Sequence, residues 1–142
     1  MTYFILIRGS YEYAENIGIY TKSAMELKKL SWLDEATART NFQINAYKRE
    51  INELAEKKQE LIIQESVLLP QEKSLKDLEK WSEYKAVNKE RKRLIKAMNE
   101  LSWKINSIES KITSLITQTD SELIESYMNT MDYHFEQAEF YE

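Results

Sequence analysis

The side chains able to do chemistry are few and unevenly placed. His134 is the only histidine, and there is no cysteine. A single imidazole with no thiolate and no second histidine is short of a zinc ligand set. A Ser-His-Asp triad would have to be built on His134, and no nucleophile-elbow sequence exists to hold its serine. Asp34 and Glu35 are adjacent, so on a helix they face different sides. No acidic run has the spacing of a calcium-binding loop. Gly9 and Gly18, the only glycines, are too far apart to cradle a phosphate. The sequence therefore points away from catalysis. No catalytic, cofactor-binding or metal-binding residue is assigned, and no cofactor is expected.

Charge is the more informative chemistry. The chain carries a formal net charge of −4, but no Lys or Arg follows Lys111. Residues 112–142 hold seven acids and no base, whereas residues 1–111 hold 20 bases against 17 acids. Glu125, Asp132, Tyr133, Glu136, Glu139 and Phe140 interleave carboxylates with aromatics, a composition suited to an interface. A row of carboxylates of this kind fits a basic groove made for nucleic-acid phosphates. The competing reading is the solvated outer face of an ordinary amphipathic helix. The densest basic stretch is Lys85, Lys89, Arg91, Lys92, Arg93 and Lys96, opposed only by Glu90. It suits phosphate or an acidic protein surface, and equally a solvated face that pairs with acids on a neighbouring helix. Trp32, Trp81 and Trp103 read as half-buried packing residues.

These groups must sit on long helices, because Pro70 is the only proline and breakers are otherwise confined to Gly9 and Gly18. The expected fold is mainly α: a long antiparallel helical hairpin of coiled-coil character, a C-terminal helix and a small N-terminal β-hairpin, in one domain over 1–142. Tyr3–Ile7 and Ile17–Tyr20 read as strands, giving a β-hairpin over 1–22 with Phe4, Leu6 and Ile19 toward a helix. Ser23 and Glu26 form a capping box for helix 1, over 23–68. Its heptad runs Leu30, Leu33, Thr37, Thr40, Ile44, Tyr47, Ile51, Leu54, Lys58, Leu61, Glu65, Leu68. Pro70 should end that helix and mark the hairpin tip. Helix 2 follows over 71–118, started by Ser74 and Asp77, with a second register of Leu94, Met98, Leu101, Ile105, Ile108, Ile112 and Leu115. This places Leu54 beside Tyr84 or Val87, and buries Ile51, Leu54, Leu101, Ile105 and Ile108. Thr119 and Glu122 form another capping box, opening helix 3 over 120–141. A single broken helix that dimerises with another chain is the alternative to folding back, so a homo-oligomer stays open. The apolar run Tyr3–Ile7 is too short for a secretory signal, and no run approaches a membrane span.

The ordering Tyr3-Phe4-Ile5-Leu6, Tyr11-Glu12-Tyr13 and Ile17-Gly18-Ile19-Tyr20-Thr21 resembles the opening of small phage and mobile-element accessory proteins, over roughly the first 27 residues. The resemblance implies a cytoplasmic setting in a bacterial host and a host protein as partner. Carboxylate mimicry of phosphates is a strategy of phage-encoded inhibitors, which ties the acidic tail to the same reading. The expected function is a non-enzymatic protein-binding module that blocks a host or defence protein, with anti-CRISPR inhibitors as the first subclass. A nucleic-acid-associated accessory protein using residues 85–96 is the alternative. A coiled-coil scaffold or chaperone is a third; it is similar to prefoldin in joining helical and β-hairpins, but here the strands precede the helices.

Overall fold

The computed structural model describes residues 2–139. The fold is mainly helical: a long antiparallel helical hairpin, a C-terminal helix and a small antiparallel sheet. Strand β1 (Thr2–Arg8) is followed by a single 3-10 turn at Tyr11–Tyr13 and strand β2 (Glu15–Tyr20). Helix α1 (Lys22–Ser31) leads through Trp32 into α2 (Leu33–Asp77). Helix α3 (Trp81–Ile116), helix α4 (Asp120–Thr130) and strand β3 (Tyr133–Glu139) complete the order. Residues 1–43 and 115–142 cluster as one compact unit, and residues 44–114 as a second.

In the first unit the sheet order is β2-β1-β3, both pairs antiparallel. The expected β-hairpin forms, and β3 joins it from the other end of the sequence. Leu6 pairs with Gly18 on one side and Phe135 on the other, so its side chain lies at the centre of one sheet face and is 1% exposed. Trp32, Ala36, Ile124 and Tyr127 complete the core, with Tyr20, Tyr133 and Phe135 packed around it. Phe4 falls on the Leu6 face as expected. Ile19 pairs with Ile5, which puts it on the opposite face, where it is exposed.

The caps explain two helix starts. Thr21, rather than Ser23, caps α1, its hydroxyl accepting the Ala24 N–H. Thr119 and Glu122 form the reciprocal capping box on α4, as their spacing predicts. Helix α4 then stops at Thr130, eleven residues before the expected end at 141. Asp132 takes a left-handed conformation, φ 58°, and its carbonyl accepts the Gly9 N–H at 2.9 Å. Aspartate tolerates that conformation better than most residues. The chain reverses there and enters β3. Met128, Met131, Phe135 and Ala138 fit helical spacing, but Tyr133 and Phe135 also alternate with His134 and Glu136 at the period of a strand. The unpaired edge of β1 decides for the strand.

In the second unit α2 and α3 pair along the predicted stripes. Leu94, Ile44, Ile108 and Ile112 are buried, while Ile51, Leu54, Leu101 and Ile105 are half-buried. A helix facing only one other helix covers little more than one stripe. The covered stripe follows the expected heptad from Thr40 onward; before it, Leu30 is exposed, Leu33 packs on the core of the first unit, and Ala36 is buried in place of Thr37.

The hairpin tip lies elsewhere than expected. Pro70 sits inside α2, which continues to Asp77. Proline removes the donor to the carbonyl of Ser66, but Ser66 and Pro70 are both exposed, so that carbonyl is left toward solvent. The turn falls at 78–80. There the Lys80 N–H donates to the Leu75 carbonyl and the Glu79 N–H to the Lys76 carbonyl, with Glu79 at φ 58°. That pattern is a Schellman C-cap, built on glutamate where glycine is usual. Ser74 and Asp77 thus close a helix instead of opening one. The register shifts accordingly: Tyr47 meets Lys111 and Glu65 meets Arg91, so Leu54 lies far along the hairpin from Tyr84 and Val87.

Candidate functional site

The structure redistributes the two charged constellations. Arg91 belongs to the helix–helix seam. Its Nε donates to Glu65 at 2.8 Å and its Nη1 to Glu72 at 3.0 Å. Asn88 donates to the other Glu72 oxygen at 3.2 Å. Glu65 and Glu72 lie on either side of Pro70, so one guanidinium ties together the two segments that the proline separates. Glu72 is the buried carboxylate of this seam. The hydrogen bond from Arg91 holds its pKa below the ordinary glutamate range, against the opposing effect of desolvation. The same contacts raise the Arg91 pKa, with the bond to Glu65 contributing most. Arg93 is likewise committed, in an i,i+3 pair with Glu90.

The remaining bases, Lys85, Lys89, Lys92 and Lys96, are all exposed. Their steps of four, three and four residues place them on one face of α3. Among the described residues none of the four forms an ion pair. Two aromatics extend the same face. Trp81 is 51% exposed and Trp103 is 79% exposed, contrary to the half-buried packing role expected of them. Only Trp32 is in a core, stacked on Tyr133 with centroids 5.2 Å apart and in contact with Tyr127 and Phe135.

The acidic aromatic residues do not share a single helix face. Glu125 is exposed on α4, and Asp132 is exposed in the turn before β3. Glu136 and Glu139 are exposed on β3, three residues apart and so on opposite sheet faces. Tyr133 points inward onto Trp32, and Phe140 lies outside the described residues. Asp132, Tyr13 and Glu15 do converge, around a shallow depression that also includes Arg8. His134 approaches Glu136 at 3.3 Å on the same strand.

A cleft of about 260 Å³ lies between the start of α2, the end of α3 and α4, lined by Arg39, Gln43, Gln118 and Tyr127 among others. The Tyr127 hydroxyl donates to Glu35 at 2.9 Å, and Arg39 lies over the Tyr127 ring at 5.3 Å while pairing with Glu35. Burial, then the bond to Glu35, raises the Tyr127 pKa. Tyr127 and Arg39 are thus both paired with Glu35. Among the described residues no group of three or more His, Asp or Glu side chains is placed to hold a metal, and no helix is long and apolar enough to cross a membrane.

Charge follows the two structural units closely. The sheet-bearing unit has five bases against twelve acids, and the hairpin unit has fifteen bases against twelve acids. Sequence reading found the step in charge, but not that it coincides with a structural division. No family model matches the chain, and no curated protein or solved structure is significantly similar to it.

Proposed function

We propose that this chain is a non-enzymatic protein-binding module whose acidic, sheet-bearing unit docks on a basic surface of a bacterial host protein. The observation that carries this reading is the charge partition: a net −7 in the sheet-bearing unit beside +3 in the hairpin unit. Complementary charge of that size steers encounter and selects partners. Glu125 and Asp132 have no cation within ion-pair distance among the described residues, so both are free to meet a basic partner. The resemblance of the N-terminal segment to phage and mobile-element accessory proteins supports an inhibitor of a host or defence protein, of the anti-CRISPR kind, acting in the host cytoplasm. A nucleic-acid-binding protein with a basic groove is the partner class.

The test is capture from nuclease-treated bacterial lysate by the parent and by the quadruple variant Glu125→Gln, Asp132→Asn, Glu136→Gln, Glu139→Gln. Asparagine at position 132 preserves tolerance of the left-handed backbone. The parent should retain a basic protein at low salt and lose it as salt rises, and the variant should fail to retain it while melting like the parent. Equal capture by both would reject the acidic unit as the docking surface.

A further inference from the structure

We propose that the outward face of α3 is a track for single-stranded nucleic acid, with Lys85, Lys89, Lys92 and Lys96 on the phosphates and Trp81 and Trp103 stacking bases at its two ends. The inference goes beyond the docking of the acidic unit and uses none of its residues.

Four observations combine. The lysines occupy one face, spread over about 16 Å of helix at 1.5 Å per residue, and none is neutralised by an ion pair among the described residues. The arginines that would blur the pattern are taken out of it, Arg91 into the seam and Arg93 onto Glu90. Helical spacing keeps most acids of α3 off the stripe: Glu83 and Glu90 fall toward the opposite side and Glu109 about a third of a turn away, while Glu100, one turn beyond Lys96, is the one acid of α3 that borders it. Trp81 and Trp103 lie in line with the lysines and are 51% and 79% exposed; Trp81 meets only the Tyr84 ring, edge-on at 5.9 Å, and so open a position is unusual for the largest side chain.

A positive groove or stripe that tracks a backbone, with aromatics on which bases stack, is the combination that single strands require. A duplex would use the lysines and leave the tryptophans idle, because its bases are already stacked. A membrane surface is disfavoured by packing: the apolar side of α3 holds Leu94, Ile108 and Ile112 against α2, and an interfacial helix needs that side for lipid. Phosphate complementarity is local, since the hairpin unit is net positive while the whole chain is not.

The test uses the full chain and a fluorescently labelled 20-nucleotide oligo-dT over a range of salt concentrations. Four phosphates neutralised on a single strand give a slope of log K against log salt near −3. Each single Lys→Gln change should reduce that slope by about 0.7, and the quadruple Lys85→Gln, Lys89→Gln, Lys92→Gln, Lys96→Gln variant should abolish binding. Trp103→Ala should weaken binding about fivefold or more and leave the slope unchanged, a readout that does not depend on the quadruple variant being folded. The acidic-unit variant should bind oligo-dT as well as the parent or better. The proposal is overturned if oligo-dT does not bind at low salt, if the slope survives the quadruple change, or if Trp103→Ala is silent. Equal affinity for a 20-base-pair duplex, or preference for phosphatidylserine vesicles, overturns it as well.

Discussion

The sheet-bearing unit closes a core on several sides, whereas the hairpin unit closes a seam between two helices. Around Trp32 the rings of Tyr127, Tyr133 and Phe135 approach from a helix and a strand, and Leu6 supplies the floor. Along the hairpin, Leu94 and Ile108 are buried but Ile105 and Leu101 between them are only half-covered. The difference is geometric. A sheet face can be roofed by elements from several directions, while a helix paired with a single neighbour shelters a narrow stripe. The two units also handle polar groups differently. The first buries almost none, and the second places a guanidinium with two carboxylates inside its seam.

Trp32→Ala should test the first half of this comparison most severely. Removing a buried indole with three aromatic neighbours should cost about 3–5 kcal/mol, read by chemical denaturation. A loss under about 1 kcal/mol would show that the sheet-bearing unit is not organised around that ring. In the hairpin, Leu94→Ala should cost about 3 kcal/mol and Ile105→Ala about 1 kcal/mol, because the second side chain is half-exposed already. Equal costs would mean that the seam is evenly covered, as it would be if a further helix packed against it.

Smaller effects refine the picture. Tyr127→Phe keeps the ring and removes only the hydrogen bond to Glu35, so a loss of about 0.5–1 kcal/mol is expected in thermal melts. A loss of several kcal/mol would make the bond to Glu35, rather than ring packing, the mainstay of that contact. At the hairpin tip, Glu79→Gly should stabilise by about 0.5–1 kcal/mol, since glycine adopts the left-handed conformation without steric cost. Destabilisation there would mean that the Glu79 side chain makes a contact outweighing its backbone strain.

The seam carboxylate gives a pH signature. The folded pKa of Glu72 is depressed, first by its hydrogen bond from Arg91. The stability it contributes is complete above the ordinary glutamate pKa of about 4.3 and is lost as pH falls below that value through the depressed folded pKa. Arg91→Met removes the cation, so the variant should be less stable near pH 7 and lose less than the parent between about pH 5 and pH 3. Parallel acid melting curves for the two proteins would show that Arg91 does not set the Glu72 ionisation.

Much of this was legible from residue order alone, for a definite reason. The heptads from Thr40 to Leu68 and from Leu94 to Leu115 repeat over many turns, and a repeated stripe has one helical interpretation. The Thr119 capping box was equally readable, because its groups satisfy one another within four residues. Three features depended on contacts remote in sequence. Pro70 is tolerated inside α2 where Arg91, from the other helix, holds Glu65 and Glu72 on both sides of it. The turn at Glu79 has no glycine to announce it, and the packed seams on either side set where the chain reverses. Residues 133–139 satisfy both a helical and a strand period, and only the open edge of β1 favours the strand. The charged surfaces divide in the same way. Sequence fixes how many bases lie between 85 and 96. Tertiary structure takes Arg91 into the seam and leaves four lysines and two tryptophans facing outward, because only a partner helix can turn a cation inward.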